Sequence, residues 1–386
     1  MNLLRNFSFE LPTRIVYGVD SAGKLPEFLR EAEYRNVLIV TDRGIKESGL
    51  LTPLTSDLDE ASLLWTIFDD VEANPKDYNV QAGAEKAREY EVDCIVAVGG
   101  GSPIDCAKAV SVVTTHGGRV RDYTDHTKIT DKALPLVAIP TTAGTGSEIT
   151  FGAVITDTDN HVKFTIKHQH IAPKIALVDP KLTITMPPAL TAATGMDALT
   201  HAIEAYTATV AEPLADAAAL YAIELIATHL KTAVFDGRNL EARAGMLLGS
   251  VLAGIGFSHS DVAAVHCIAE ALGGKYDAPH GVCNAVALPE IMAYNIEACR
   301  QRYARVALAM GLRSTDIEDG ARKAVDAVQQ LAKDVNLPGF RTLGVQEEDF
   351  DELARNSALN GSNADNPRLM DEDDYLCILK RLWAKG

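Results

Sequence analysis

The sequence has few features that would place the protein on nucleic acid, in a membrane or outside the cell. Acidic residues outnumber basic ones by 53 to 36, which gives a formal net charge of −17. Phosphate backbones and anionic lipids require clustered lysine and arginine. We find no apolar run of the length expected for a membrane span, and the first seven residues lack the apolar segment of a signal peptide. We therefore predict a cytoplasmic protein with no nucleic-acid and no membrane partner.

The cysteine patterns of disulfide frameworks and of paired metal sites are also missing. Six cysteines are scattered along the 386 residues, and none forms a Cys-x-x-Cys pair. Isolated cysteines in apolar surroundings are typical of reduced thiols in the cytoplasm. The composition that remains is that of a globular protein, with 47% hydrophobic and 23% charged residues. Because a chain of this length exceeds one typical core, two domains are expected.

The first half of the chain alternates short apolar runs with helical patterns. The runs at 36–41 and 93–98 are almost continuously apolar, which is typical of strands buried on both faces. Alternation of this kind predicts βαβ units and a parallel sheet, and a hairpin is predicted around 157–160. We therefore predict an α/β domain over residues 1–186. Its predicted sheet strands cover 14–17, 36–41, 62–68, 93–98, 134–139 and 175–178.

Beyond the Met186-Pro-Pro188 segment the pattern becomes almost entirely helical. Its breaks fall at glycine, proline and Asp/Asn clusters, which commonly end helices. We therefore predict an all-α domain over residues 187–386. The predicted helices cover about 191–208, 213–232, 239–257, 259–272, 281–298, 300–311, 316–333, 347–356 and 371–384.

The helical half contains residues that suit a divalent metal. Asp197 and His201 stand four residues apart, so their side chains lie on one face of a predicted helix. His266 and His280 follow on either side of a glycine-containing turn. One carboxylate oxygen and three imidazole nitrogens suit Fe(II) or Zn(II). An ordinary surface pair explains Asp197 and His201 equally well when they are taken alone.

A glycine-rich loop joins a predicted strand directly to a helix at residues 98–105. Three consecutive glycines let the backbone approach a ligand closely and expose amide groups. With Ser102 as N-cap and Asp105 in a capping-box-like position, the helix N-terminus suits a pyrophosphate. The alternative is a tight turn with ordinary capping. The cofactor-binding candidates of this loop are Gly99, Gly100, Gly101, Ser102 and Asp105.

Two other predicted strands also end in polar residues. Residues 140–148, with four hydroxyl side chains and two glycines, should lie at the carboxyl edge of the sheet, where open α/β sheets bind ligands. A polar loop without a ligand is an equally good interpretation. Asp42 ends the strand at 36–41. An acidic residue there can bind a ribose 2′-hydroxyl and repel a 2′-phosphate, or it can cap the next helix.

With these motifs in order, the sequence resembles the iron-containing, group III alcohol dehydrogenases, which include lactaldehyde (propanediol) reductases and bacterial butanol- and ethanol-type dehydrogenases. The resemblance implies an N-terminal dinucleotide-binding domain with a parallel sheet and a C-terminal all-α metal-binding and catalytic domain, in the dehydroquinate-synthase-like architecture. It also implies an active site in the cleft between them. The blocks that carry it, nearly end to end, are Gly99–Asp105, Pro140–Glu148, Thr191–Glu204 and His280–Ala285.

The resemblance also implies an activity and roles for single residues. It implies hydride transfer between NAD(H) and a small alcohol or aldehyde, by a homo-oligomer that is a dimer or larger. Asp42 matches a position where an acidic residue accompanies NAD, and the Gly99–Ser102 loop matches the pyrophosphate loop. The implied metal ligands, with Fe(II) as the usual ion, are Asp197, His201, His266 and His280. The implied cofactor-wall residues are Thr141, Thr142, Thr145 and Lys163.

One position departs from the family pattern. Four residues after His266 the family usually has a second histidine, and this chain has Glu270. A carboxylate near a metal can change the proton route, the substrate or the ligand set, or the change can be neutral. We therefore place Glu270 among the catalytic candidates. Phe257 is implied to face the substrate, although apolar packing explains it equally well.

Three alternatives to a dehydrogenase of simple alcohols follow from these observations. Because of Glu270, the substrate could be a hydroxy acid, a diol or another functionalised aldehyde. A lyase of the dehydroquinate-synthase type would use a nucleotide and a metal in the same architecture. A non-catalytic NAD-binding or filament-forming protein would not require the four metal-ligand candidates.

Overall fold

The computed structural model describes residues 6–386, and they form two compact units. The α/β unit comprises residues 11–142 and 147–186, and the helical unit comprises 6–10, 143–146 and 187–386. Two short segments from the first half of the chain therefore belong to the helical unit. The sequence analysis expected no signal peptide on the basis of the first seven residues, and most of these lie outside the described residues.

A six-stranded parallel sheet forms the centre of the α/β unit. Its strands are β1 Arg14–Tyr17, β2 Asn36–Val40, β3 Leu64–Phe68, β4 Cys94–Gly99, β5 Leu136–Pro140 and β8 Ile175–Val178. They are arranged in the order β1-β8-β5-β4-β2-β3, with every pair parallel. The hairpin is formed by β6 Gly152–Asp157 and β7 Val162–Lys167. The prediction of a parallel α/β sheet is therefore confirmed.

Helices cover both faces of this sheet. They are α1 Leu25–Glu31, α2 Arg43–Glu47, α3 Leu51–Glu60, α4 Asp77–Glu89 and α5 Gly101–His116. Alternate residues of β4 enter two separate cores: Val96 packs with α1 and α3, whereas Ile95 packs with α4 and α5. Because both faces of the strand are buried, its sequence is continuously apolar rather than alternating. The sequence patterns missed α1 and α3.

A buried lysine joins α5 to the segment that leads into the hairpin. Lys108 is fully buried, and its Nζ donates to Ser147 Oγ at 2.9 Å, Thr150 Oγ1 at 2.8 Å and the Gly152 carbonyl at 2.7 Å. Burial lowers the pKa of Lys108, and the Asp105 carboxylate at 3.5 Å opposes this shift. The three hydrogen bonds satisfy the ammonium group, which would otherwise be costly to bury.

The helical unit contains eight α-helices in the described residues. They are α6 Pro188–Thr207, α7 Pro213–Phe235, α8 Leu240–Ser260, α9 Ala264–Tyr276, α10 His280–Ala309, α11 Ile317–Asp334, α12 Phe350–Leu359 and α13 Glu372–Lys385. The prediction of separate helices at 281–298 and 300–311 was wrong, because α10 is continuous. Between Pro289 and the end of α10 at Ala309 the sequence has no glycine or proline, and Cys299 and Tyr303, four residues apart, continue one buried face.

Two helices correct the statement that no apolar run is long enough to span a membrane. By length and composition alone, α7 and α8 meet that criterion. Core helices of soluble proteins meet the same criterion. Here α7 and α8 pack against each other so closely that a Cβ added at Gly249 would lie 2.8 Å from Ile226 Cγ1. Both also contact α6, the helix that carries two of the metal-ligand candidates.

Candidate functional site

Four potential metal ligands come together in the helical unit. Asp197 and His201 lie on α6, His266 lies on α9 and His280 is the first residue of α10. Each offers one ligand atom, and these four atoms all lie within 4.8 Å of one another. Three of the residues are buried, whereas 28% of the His280 side chain is exposed. Among the four candidates, solvent therefore reaches the His280 side chain most readily.

The contacts of the Asn284 amide indicate that the four metal-ligand candidates suit a cation. Its Nδ2 donates to Asp197 Oδ1 at 2.7 Å and lies 3.0 Å from His266 Nε2 and 3.2 Å from His280 Nε2. Two amide hydrogens cannot satisfy three acceptors. The Asn284 Oδ1 is buried and has no hydrogen-bond partner among residues 6–386. Acceptors that converge on one weakly positive group would be better satisfied by a divalent ion, so the residues present fit a metal.

Burial and local charge set the protonation of these ligands. Burial lowers the pKa of His201 to about 4, so this imidazole is neutral at neutral pH. Burial raises the pKa of Asp197, but favourable electrostatic interactions with the three histidines and the hydrogen bond from Asn284 outweigh it, and the pKa falls below its ordinary value. An ionised carboxylate and a neutral imidazole are the forms that coordinate a metal.

Glu204 orients His266. Its Oε2 lies 2.5 Å from His266 Nδ1, so Nδ1 carries the proton and Nε2 faces the other ligands. The same carboxylate accepts the Ala263 amide at 3.0 Å and the Val265 amide at 2.7 Å. Burial lowers the pKa of His266, but Glu204 outweighs it, so the pKa is raised. We did not identify Glu204 from the sequence, although its position three residues after His201 was the available signal.

Phe257 contacts one member of the ligand group, and Glu270 lies one helical turn from another. The Phe257 ring stacks on His201, with centroids 4.4 Å apart and an interplanar angle of 20°. Glu270 follows His266 by one turn of α9 and is half-buried, and it does not join the four converging ligand atoms. Its Oε2 accepts a hydrogen bond from Asn360 Nδ2 at 2.6 Å. Glu270 thus lies beside the ligand set rather than within it.

In the α/β unit, several cofactor candidates adjoin at the carboxyl ends of β2, β4 and β5. Thr41 Oγ1 donates to the Val98 carbonyl at 2.7 Å, and the Thr141 amide donates to the Gly99 carbonyl at 2.9 Å. Thr41 follows the last residue of β2, and Asp42 comes directly after it. These bonds join three strand ends into one polar edge, where parallel sheets bind nucleotides.

The start of α5 corrects the capping prediction. The N-cap is Gly100, without a side-chain cap bond, so Ser102 does not cap the helix. The Asp105 carboxylate accepts the Val154 amide at 2.9 Å and a hydrogen bond from Ser147 instead of forming a capping box. The structure therefore uses Asp105 to hold the hairpin against α5.

One of the loop glycines is required by the packing of the chain itself, and a second is closely packed. Gly99 has a φ of 153°, and a Cβ there would lie 2.5 Å from Pro103 Cγ. A Cβ at Gly100 would lie 3.0 Å from Thr142 Oγ1. Close packing therefore explains Gly99 without a ligand and leaves little space for a side chain at Gly100. The loop still leads into the N-terminus of a 16-residue helix, which suits an anion.

The remaining cofactor-binding candidates, Asp42, Lys163 and Thr145, each have different contacts or lie in different units. Asp42 is the N-cap of α2, and its Oδ1 accepts the Ile45 amide at 2.9 Å. Lys163 lies on β7, and its Nζ donates to Asn74 Oδ1 at 2.7 Å. Thr145 belongs to the helical unit, unlike the other two threonines of its segment.

Comparisons with known proteins agree over nearly the whole chain. Residues 12–180 match the family model "Iron-containing alcohol dehydrogenase", and residues 191–383 match "Fe-containing alcohol dehydrogenase family, C-terminal". The 1,3-propanediol dehydrogenase of Klebsiella pneumoniae is 41% identical over 382 residues, which are 98% of this chain and 99% of that protein. The lactaldehyde reductase of Escherichia coli (strain K12) is 36% identical over 372 residues, 95% of this chain and 97% of that protein.

Solved structures agree with these relatives. A crystal structure of a 1,3-propanediol oxidoreductase has a TM-score of 0.94 and 41% identity, and the match covers 98% of this chain and all of that one. The resemblance seen in the sequence motifs is thus confirmed in both halves of the chain. The protein belongs to the iron-containing alcohol dehydrogenase family of oxidoreductases, which act on alcohols and aldehydes.

Proposed function

We propose that the protein transfers a hydride between NAD(H) and a small alcohol or aldehyde with the help of a divalent metal. Family membership supplies the reaction class. The observation that carries the metal-dependent mechanism is the convergence of four ligand atoms within 4.8 Å of one another. The proposed ligands are Asp197, His201, His266 and His280.

The side chains of the ligand group prepare it for this chemistry. A divalent metal held there supplies a Lewis acid that polarises the substrate oxygen. Asp197 contributes one negative charge, Asn284 holds one of its oxygens and Glu204 keeps Nε2 of His266 directed at the group. The exposed side at His280 leaves room for the substrate. We propose Fe(II), the usual ion of the family, although the same donors suit Zn(II).

The polar edge of the sheet is the proposed cofactor site. NAD(H) supplies or accepts the hydride. The loop that leads into α5 places amide groups at a helix N-terminus, where a pyrophosphate is stabilised. Thr141 and Thr142 adjoin this loop, and Lys163 is proposed as a further contact. Asp42 would accept a hydrogen bond from a ribose hydroxyl, because its Oδ2 accepts none from residues 6–386.

Replacing Asp42 with glycine should let NADPH compete with NADH. The carboxylate repels a 2′-phosphate, and its removal abolishes that repulsion. We expect the ratio of kcat/KM for NADH to that for NADPH to fall by about tenfold or more, which is the effect expected when one close charge–charge interaction is lost. The ratio is measured with one aldehyde at one ionic strength.

Asp42→Asn is the matched control, because asparagine also caps helices but carries no charge. If charge repulsion is the cause, Asp42→Asn shifts the cofactor ratio while α2 keeps its cap. An unchanged ratio in both variants would remove Asp42 from cofactor selection.

We also propose that the enzyme works as a cytoplasmic homo-oligomer, a dimer or larger, without nucleic-acid or membrane partners. The support is the family resemblance and the net charge of −17, which disfavours binding to polyanions. Light scattering on the purified protein measures the subunit number directly.

Removal of the metal tests the proposed reaction. Protein purified without oxygen should oxidise NADH with short aldehydes, lose turnover after chelation and recover it when Fe(II) or Zn(II) is added back. The Lewis acid is worth several kcal/mol, so the loss should be about 10³-fold or more. Turnover that survives chelation with no bound metal left would contradict metal dependence. Lack of turnover with metal bound would favour a lyase of the dehydroquinate-synthase type.

A further inference from the structure

No lysine or arginine of residues 6–386 pairs with the Glu270 carboxylate, and the charge it interacts with is that of His266, whose pKa it helps to raise. Within residues 6–386 the Glu270 carboxylate has one hydrogen bond, from the neutral amide of Asn360 at 2.6 Å, and no ion pair with a lysine or arginine. The side chain is half-buried. Carboxylates removed from water are normally paired with a cation. A lysine-like partner for Glu270 would therefore have to come from outside the chain.

The carboxylate is also held in place. Asn360 is the N-cap of a short helical turn, and its Oδ1 accepts the Ser362 amide at 3.0 Å. This bond turns the Asn360 Nδ2 toward Glu270 Oε2 and leaves the other carboxylate oxygen, Oε1, for a ligand. A fixed acceptor selects a ligand better than a mobile one, because less conformational entropy is lost on binding.

Glu270 faces the same region as the ligand group. It follows His266 by four residues on α9, so the two side chains share one helix face with Cβ atoms about 5–6 Å apart. Phe257 presents an aromatic ring to the same group, stacked on His201. A carboxylate and an aromatic face are the two groups that stabilise an organic cation.

We propose that Glu270 selects alcohols and aldehydes that carry a positively charged amino group. The ammonium group would pair with Oε1 of Glu270 while the hydroxyl end lies at the four-ligand group. A three-carbon amino alcohol is about as long as one helical turn of about 5.4 Å, which is the separation of His266 and Glu270 along α9. A hydroxy acid would bring a like charge against Glu270 and is disfavoured. This inference rests on the proposed function, since it concerns the substrate of the same site.

A series that differs only in its terminal group tests the proposal. The substrates are 3-aminopropan-1-ol, 1,3-propanediol, 1-butanol and 3-hydroxypropanoate, which end in a cationic, a neutral polar, an apolar and an anionic group. NAD⁺ reduction by the metal-loaded enzyme gives kcat/KM for each. We expect 3-aminopropan-1-ol to lead, and its ratio to 1-butanol to fall at least about tenfold in Glu270→Gln, as for a close charge pair.

Two further variants separate charge selection from general damage. Glu270→His, the usual family residue, should also lose the preference. Glu224→Gln removes the same charge from an exposed site on α7 and should keep the wild-type ratio. An unchanged ratio in Glu270→Gln, or a wild-type preference for 1,3-propanediol or 3-hydroxypropanoate, would overturn the proposal.

Binding without turnover provides a second readout. Calorimetric titration of the metal-loaded protein without NAD⁺ should show tighter binding of 3-aminopropan-1-ol than of 1-butanol, with the difference lost in Glu270→Gln. An equal affinity for the two alcohols in the wild type would contradict the role of Glu270. If no alcohol in the series is oxidised although this affinity difference is present, the proposed reaction fails while the charge selection stands.

Discussion

Replacing Asp197 with alanine should abolish metal-dependent turnover while NADH binding survives. Asp197 supplies the one negative charge among the four ligand atoms and accepts the Asn284 amide at 2.7 Å. Without it, three neutral imidazoles hold a divalent ion far less tightly. Loss of the Lewis acid removes several kcal/mol of transition-state stabilisation, so kcat/KM should fall by about 10³-fold or more. His280→Ala should have a similar effect.

Three measurements check this result. Metal content per subunit should fall in both variants, and turnover should fall with it. NADH binding, followed by its fluorescence, should not change, because the proposed cofactor residues that adjoin at the sheet edge lie in the α/β unit. His126→Ala, which removes an exposed histidine of the α/β unit, is the control for loss of an imidazole. Full activity in Asp197→Ala or His280→Ala would remove the ligand group from the mechanism.

Replacing Glu204 with alanine should weaken metal binding even though Glu204 is not a ligand. The carboxylate fixes the tautomer and direction of His266 through its 2.5 Å contact with Nδ1. Loss of such a partner typically lowers metal affinity by 10- to 100-fold, and we expect a decrease of about this size. Two buried backbone amides, at Ala263 and Val265, also lose their acceptor. Each costs about 1–3 kcal/mol, so the free energy of unfolding should fall as well.

Glu212 offers a matched control for the loss of stability. It is also buried, and its carboxylate accepts two backbone amides at the start of α7, at 2.9 and 2.6 Å. Glu212→Ala should therefore destabilise the protein to a similar extent without touching a metal-ligand candidate. Metal affinity, measured by competition with a chelator, should fall only in Glu204→Ala. Equal affinities in the two variants would show that Glu204 acts on folding alone.

Local patterns in the sequence predict the strands and helices of this protein, but not the contacts between residues far apart in the chain. Parallel strands buried on both faces must be continuously apolar, so the sheet could be predicted from runs such as 36–41 and 93–98. The spacing of Asp197 and His201 placed them on one helix face, because helical geometry is local. The single helix α10 was missed, because its break was predicted where no glycine or proline occurs.

The use of single side chains could not be predicted in the same way. The sequence suggested that Asp105 caps α5, but the hairpin brings the Val154 amide to its carboxylate across 49 residues. The sequence suggested that Gly99 belongs to a ligand-binding loop, and the structure shows that Pro103 leaves no space for a Cβ at Gly99. In both cases the deciding atom comes from the folded arrangement and not from the local pattern.

By itself, the sequence determined the family, the fold class and the four residue types that suit a divalent metal, because these depend on composition, periodicity and motif order. Only the tertiary structure decided that α6, α9 and α10 bring those four ligand atoms within 4.8 Å. It alone placed Glu204 behind His266, Asn284 among the ligands and Asn360 against Glu270. The physical reason is that these contacts join residues 18 to 90 positions apart, which helix and strand periodicity does not relate.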